Sequence, residues 1–271
     1  MSRNYKITLE YEGTRYNGWQ KQKNTQDTIQ GKLERILERM TGIPTEVHGS
    51  GRTDAGVHAY GQVANFHLPD DYSMPEGWEK AVGLSGKKVI SEEENIQRYL
   101  NHYLPEDIRV IQTEKVEERF HSRLSAVKKV YIYEIETGEK QDVFRRRIQY
   151  HLGKELDLDA MKKGAGLLLG THDFKSFCGN KKMKKSTVRT LYSIDIFQEQ
   201  DSSLVRLIFT GNGFLQNMVR ILTGTLIEIG LGERQWQSVT DVLEAKDRQL
   251  AGFTAPAEGL SLSQVIYEEM K

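Results

Sequence analysis

Gly49-Ser50-Gly51-Arg52-Thr53-Asp54-Ala55-Gly56-Val57-His58-Ala59-Tyr60-Gly61 is the stretch from which the rest of the chain is best read. It sets four glycines, one arginine and one carboxylate between two runs that alternate apolar and polar residues. Such alternation is the signature of a half-buried strand, so Asp54 falls in a loop between two predicted strands, at 45–48 and 61–68. Glycine takes backbone angles that other residues resist and lets a neighbouring molecule approach the main chain. The nearest chargeable neighbours of Asp54 are Arg52 and His58. A nearby cation favours the ionised carboxylate, and an ionised carboxylate can serve as nucleophile or base. For the loop taken alone the alternative is a hairpin whose Asp bonds its own turn backbone.

Working outward, residues 5–11 alternate as a strand, and 28–40 carry Ile29, Leu33, Ile36, Leu37 and Met40 on one helical stripe that Gly42 and Pro44 end. Gly18-Trp19-Gln20, with Lys21 and Lys23 close by, is either a nucleic-acid contact or a core position for the indole. Residues 78–84 read as helix, Gly86-Lys87-Lys88 as a break, and a helix capped by Ser91 runs to Pro105 with Tyr99 and Tyr103 as packing residues. Strands are expected at 108–116 and 127–135, and period two places Tyr131, Tyr133 and Ile135 on one face of the second. A helix capped by Asp157 to residue 169, a turn over 170–178, strands at 188–197 and 204–209, helices at 214–229 and 235–245, and a last strand at 261–267 complete the chain. Arg220 lies within the apolar 214–229 stretch, either on its solvent flank or buried toward a carboxylate, since a buried arginine needs a partner. The pattern is α+β with mostly antiparallel sheets in two similar halves, divided near 105 into domains 1–105 and 106–271.

Composition bounds the function. The 271 residues suit one large domain or two smaller ones, and 38 basic residues balance 38 acidic ones. Charge is nevertheless uneven. Residues 174–194 hold Lys175, Lys181, Lys182, Lys184, Lys185 and Arg189 with no acid before Asp195, and Arg145-Arg146-Arg147 forms a second cluster. A neutral protein can carry a local basic face for phosphates, though a charge run by itself is usually solvated surface. Cys178 stands alone, so no internal disulfide or multi-cysteine metal site is expected. His48, His58 and His67 are too scattered for a zinc site, and no glycine-rich nucleotide fingerprint occurs, so neither metal nor cofactor is expected. No apolar run reaches bilayer length, and residues 1–6 lead straight into strand alternation without a signal peptide, which makes a cytoplasmic protein the expectation.

Gly51-Arg52-Thr53-Asp54-Ala55-Gly56-Val57-His58-Ala59 resembles the signature of the TruA family of tRNA pseudouridine synthases. Tyr11-Glu12-Gly13 with Gly18-Trp19-Gln20, Phe120-His121-Ser122-Arg123 to Tyr131-Ile132-Tyr133, Gly170-Thr171-His172-Asp173-Phe174, Phe214-Leu215 to Met218-Val219-Arg220, and Ala255-Pro256-Ala257-Glu258-Gly259-Leu260 follow in the family's order. The resemblance spans nearly the whole chain. It departs from the family at Leu124, where phenylalanine is usual, at Val130, where a polar residue is usual, and in a longer 69–97 region.

The resemblance implies the pseudouridine synthase fold, two α+β halves around a central RNA-binding cleft. It also implies a cofactor-free isomerase that turns uridine into pseudouridine at positions 38, 39 and 40 of the tRNA anticodon stem-loop. The target base is stacked and must be flipped out to react. On the resemblance, Asp54 is the essential aspartate, attacking the sugar or the base or abstracting a proton. Tyr131 stacks on the uracil, Arg220 pairs with the aspartate, and Arg52 assists flipping. His58, Lys181, Lys182, Lys184 and Lys185 are added as substrate contacts, with Arg145, Arg146 and Arg147 as a second candidate cluster for phosphate contact, and a homodimer in which one tRNA touches both subunits is expected. The alternatives are a pseudouridine synthase acting on another RNA, and a non-catalytic RNA-binding protein on the same scaffold.

Overall fold

A computed structural model describes residues 2–81 and 91–268. The break expected at Gly86-Lys87-Lys88 and part of the helix expected at 78–84 lie outside the described residues. The chain forms two compact units, Met1–Ala126 with Tyr267–Lys271, and Val127–Ile266. The sequence passes from one to the other at Ala126, later than the crossing near 105, because the strand at 108–116 pairs back onto the N-terminal strand.

In the first unit β1 (Ser2–Tyr11) lies between β3 (His58–Pro69) and β4 (Ile108–Val116), antiparallel to both. The short β2 (His48–Gly49) adds to β3. Tyr5, Ile7, Leu9 and Tyr11 are the alternate residues of β1, and all four are buried, as period two requires. The helix α1 (Ile29–Thr41) starts where the Thr28 hydroxyl accepts the Gly31 N–H at 3.2 Å and stops at Gly42, whose φ of 75° few other residues adopt. Its apolar stripe is buried, and each such side chain contributes about 1.5–3 kcal/mol on leaving water.

A short helix α2 (Trp78–Ala81) is followed by α3 (Glu92–Tyr103), where the Ser91 hydroxyl accepts the Glu94 N–H at 3.2 Å. Glu92 in the first turn of α3 takes Arg3 and the Tyr5 hydroxyl, each at 2.5 Å, so the helix start is tied to β1. Trp78 packs on Tyr99 and Tyr99 on Tyr103, at 5.7 and 4.8 Å between ring centres. The two tyrosines are therefore packing residues, and Trp78 of the long 69–97 region rests on Tyr99.

In the second unit the strand order is β10-β5-β9-β8-β7, formed by β5 (Ala126–Glu136), β7 (Gly170–Asp173), β8 (Val188–Gln198), β9 (Leu204–Gly211) and β10 (Leu260–Tyr267). The pairings of β5 with β9, β9 with β8 and β8 with β7 are antiparallel, and the short β6 (Tyr150–His151) runs parallel beside β5. The mostly antiparallel α+β class is thus as expected. The helices are α4 (Leu158–Gly166), α5 (Met218–Gly230) and α6 (Ser238–Ala245).

The structure differs from three local expectations. Of the strand expected at 45–48 only His48 is in one, because pairing with β3 is limited to His48 with Asn65 and Gly49 with Ala64. Residues 170–173 are a strand and not a turn, because a partner 15–21 residues away supplies the ladder: Thr171 faces Thr190 and Asp173 faces Val188. The long helix starts at Met218 rather than 214, because Asn217 sits in the left-handed region at φ 57° and Phe214 turns its ring onto Tyr131.

Candidate active site

The Asp54 loop is braced from below and from both sides. Beneath it, the buried Gln62 of β3 accepts the Ser50 hydroxyl at 2.6 Å and donates to the Gly51 carbonyl at 3.1 Å. The Tyr11 and Thr53 hydroxyls share a hydrogen bond of 2.8 Å, and burial pushes the Tyr11 phenol up to about 12, so it stays protonated. On the N-terminal side of Asp54, the Trp19 N–H donates to the Thr53 carbonyl at 3.1 Å. On the C-terminal side, the Gly56 N–H reaches the Tyr16 carbonyl at 3.3 Å, and the turn itself is closed by Val57 N–H to the Asp54 carbonyl at 3.2 Å.

This bracing depends on two glycines of the preceding segment. A β-carbon on Gly13 would lie 2.0 Å from the Val57 carbonyl oxygen, and one on Gly18, at φ +85°, would lie 2.6 Å from the Thr53 carbonyl oxygen. Neither clash can be relieved by a side-chain rotation, since both partners are backbone. Residues 12–19 therefore close around the two flanks of Asp54. Trp19 is 2 % exposed with its ring against Gly49, which makes it a core residue that sets this loop rather than a nucleic-acid contact.

Asp54 is half-buried and Arg52 exposed on this frame. His58, expected to meet the substrate, is 3 % exposed, and its Nδ1 accepts the Gly13 N–H at 2.9 Å, with Glu12 at 3.6 Å. Its imidazole therefore occupies a bracing position, with Nδ1 unprotonated. The supporting roles of Gly13, Tyr11, Thr53 and Gln62 are not among those that sequence reasoning assigns. Tyr11, Gly13 and Thr53 do fall within stretches that carry the family resemblance, but nothing in the sequence assigns them a bracing role.

The second unit brings three of the sequence motifs together. Tyr131 and Tyr133 lie on β5, both buried. The Tyr131 ring meets Phe214 edge-on at 5.1 Å, and the Tyr133 hydroxyl donates to the Pro256 carbonyl at 2.7 Å. Arg220, in the first turn of α5, is half-buried; its Nε–H donates to the Ala255 carbonyl at 2.6 Å and one Nη to the Asn217 side-chain oxygen at 3.1 Å. The Ala255 N–H returns a bond to the Arg220 carbonyl at 3.0 Å. Tyrosine strand, arginine helix and the 255–260 turn are thus one hydrogen-bonded assembly, which fixes the guanidinium plane. Asp54 belongs to the first unit, and Tyr131 and Arg220 to the second.

Lys181, Lys182, Lys184 and Lys185 are all exposed. Lys181 and Lys185, with Lys175, Lys246 and Arg248, line a cleft of about 610 Å³ in the second unit. Lys246 is paired with Asp173 at 3.0 Å, whose carboxyl is held low by the Thr187 hydroxyl first and Lys246 second. No cluster of His, Cys, Asp and Glu able to hold a metal occurs among the described residues, and no described helix is long and apolar enough to cross a membrane.

Comparison with known proteins gives a consistent answer. A family model described as tRNA pseudouridine synthase matches residues 7–124 and 165–268. A tRNA pseudouridine synthase A of Geobacillus sp. (strain WCH70) is 44% identical over 269 residues, covering 99% of this chain and 100% of that protein. One of Bacillus sp. (strain KSM-64) is 43% identical over 264 residues, covering 97% and 99%. A protein named tRNA pseudouridine synthase A 2 of Bacillus anthracis is 41% identical over 262 residues, covering 97% and 98%.

Proposed function

This chain belongs to the tRNA pseudouridine synthase family, and from that premise we propose that it isomerises uridine to pseudouridine in the anticodon stem-loop of tRNA, at positions 38, 39 and 40. The observation that carries the reading is the Asp54 loop: a carboxylate on a backbone braced on both flanks, as a reacting group needs. The uridine is flipped from its stack, the C1′–N1 bond breaks, the base turns, and C1′ joins C5. N1 gains a proton and C5 loses one, so the reaction is redox-neutral.

Asp54 is the proposed essential group. Whether it attacks the sugar, the base or a proton, the requirement is the same: an ionised oxygen held at the reacting nucleotide. Tyr131 stacks on the flipped uracil, the plane of its ring already set by Phe214. Arg220 keeps the aspartate ionised, and the exposed Arg52 assists flipping. Lys181, Lys182, Lys184 and Lys185 contact the RNA backbone, and His58 serves the substrate site by holding the loop through Gly13. The working protein is a cytoplasmic homodimer in which one tRNA touches both subunits.

The test is release of tritium to water from tRNA labelled at uracil C5, with no cofactor added. The expected outcome is turnover, followed by mapping of the product to the anticodon stem-loop. Tight tRNA binding with no release would leave a non-catalytic RNA-binding protein, and release from another RNA would reassign the substrate.

A further inference from the structure

The connection from β5 to β6 carries a feature that the uridine site does not use. Residues 139–147 are all exposed. At their tip Phe144 is 92 % exposed, the most exposed large apolar side chain among the described residues, with Val143 at 59 % beside it. Arg145, Arg146 and Arg147 follow directly. A single exposed apolar residue on a surface needs no explanation. A fully presented aromatic ring joined to three consecutive guanidiniums is a different matter.

The tip is built and not merely left over. Asp142 caps the turn: its carboxylate accepts the Phe144 N–H at 2.8 Å and its carbonyl the Arg145 N–H at 3.2 Å. The Ile148 N–H closes the next turn onto the Arg145 carbonyl at 2.9 Å, and the Arg146 guanidinium bonds the Val143 carbonyl. The base is pinned as well. Thr137 donates to the Ser203 carbonyl at 2.7 Å, the Leu152 N–H to the Glu136 carbonyl at 2.8 Å, and His151 Nε2 lies 3.0 Å from the Gly138 carbonyl. A turn anchored at both ends carries the ring outward.

We propose that this turn is a second RNA contact, in which Phe144 stacks on an unpaired or splayed base while Arg145 and Arg146 take the flanking phosphates. The proposal rests on the reading of the protein as one that binds tRNA. Aromatic faces accept any base, and arginine forks match phosphate oxygens, so this pairing suits single-stranded or loop nucleotides. The charge also argues against a second copy as the occupant. An isologous contact centred on this turn would set Arg145 and Arg146 against their own copies, while the Asp142 carboxylate is already engaged in its own turn.

The experiment uses the full-length protein with two probes, an unmodified tRNA transcript and a short single-stranded oligouridylate. Phe144→Ala should raise the Kd for both by roughly five- to a hundredfold, the worth of stacking one base, without changing the salt slope. Phe144→Trp should restore binding, and its fluorescence should be quenched by either RNA. Arg145→Gln with Arg146→Gln should instead flatten the salt slope by about one and a half. The tRNA concentration that half-saturates tritium release should change in each variant in step with its Kd. Wild-type affinity in Phe144→Ala would overturn the proposal. So would a shift of that variant from dimer to monomer in sedimentation with RNA affinity intact, which would assign the turn to a second copy. Failure of the wild-type protein to release tritium would overturn the isomerase reading instead, and the oligouridylate arm would still decide this one.

Discussion

Residues 50–57 and residues 180–186 are both loops that the sequence marks as working parts, and they are built in opposite ways. The first is bonded to β1, to the 12–19 segment and to β3, through Thr53, Gly56, Ser50 and Gly51. The second is closed mainly on itself: Lys182 and Met183 donate to the side chain and carbonyl of Asn180, and its lysines stand in solvent. The difference follows from what each has to do. A reacting carboxylate must be placed to a fraction of an ångström, whereas a phosphate contact needs only charge within reach. Rigid support appears where chemistry is proposed, and loose local turns where RNA backbone is proposed.

The sharpest way to break the comparison is to disturb the bracing without touching the aspartate. Gly13→Ala places a β-carbon against the Val57 carbonyl, so the chain must shift beside Asp54. We expect kcat to fall by ~10²-fold, with RNA affinity little changed and the protein still folded by circular dichroism. Gly166→Ala, at a helical glycine with open space around it, is the control and should leave turnover as it is. If both variants behave alike, the loop's support is not what the site depends on.

A smaller effect should come from the basic loop, and in a different quantity. Replacing Lys181, Lys182, Lys184 and Lys185 by glutamate should weaken tRNA binding about tenfold near physiological salt. It should also flatten the salt slope by up to about three, or ~0.7–0.9 for each phosphate no longer neutralised. Turnover at saturating tRNA should hold. An unchanged affinity and slope would remove these lysines from the interface.

Local structure is legible in the sequence, and long-range structure is hidden there. Helix α1 can be read almost to the residue, because Thr28, Gly42 and the apolar stripe act within a few positions of one another. The burial of Tyr131 and Tyr133 follows from period two. Strand β7 escapes because Gly170-Thr171-His172-Asp173 has no alternation of its own and becomes a strand only through β8. The start of α5 is placed too early because the left-handed turn at Asn217 leaves no apolar signal. At the site, Asp54 stands out as a lone acid among glycines, but its support does not. Gln62 reads as one polar position in an alternating strand, Trp19 as one of two open choices, and His58 as a substrate contact. Their bracing role depends on which backbone groups lie above them, which spacing along the chain does not reveal.

Asp54 is the proposed reacting carboxylate, and Asp54→Asn is the sharpest probe of that role because shape is kept while charge is removed. Tritium release from C5-labelled tRNA and tRNA affinity should be measured on the same preparation. Release should fall by ~10⁴-fold or more while tRNA is bound as tightly as by the wild-type protein. Turnover retained in Asp54→Asn would contradict that role.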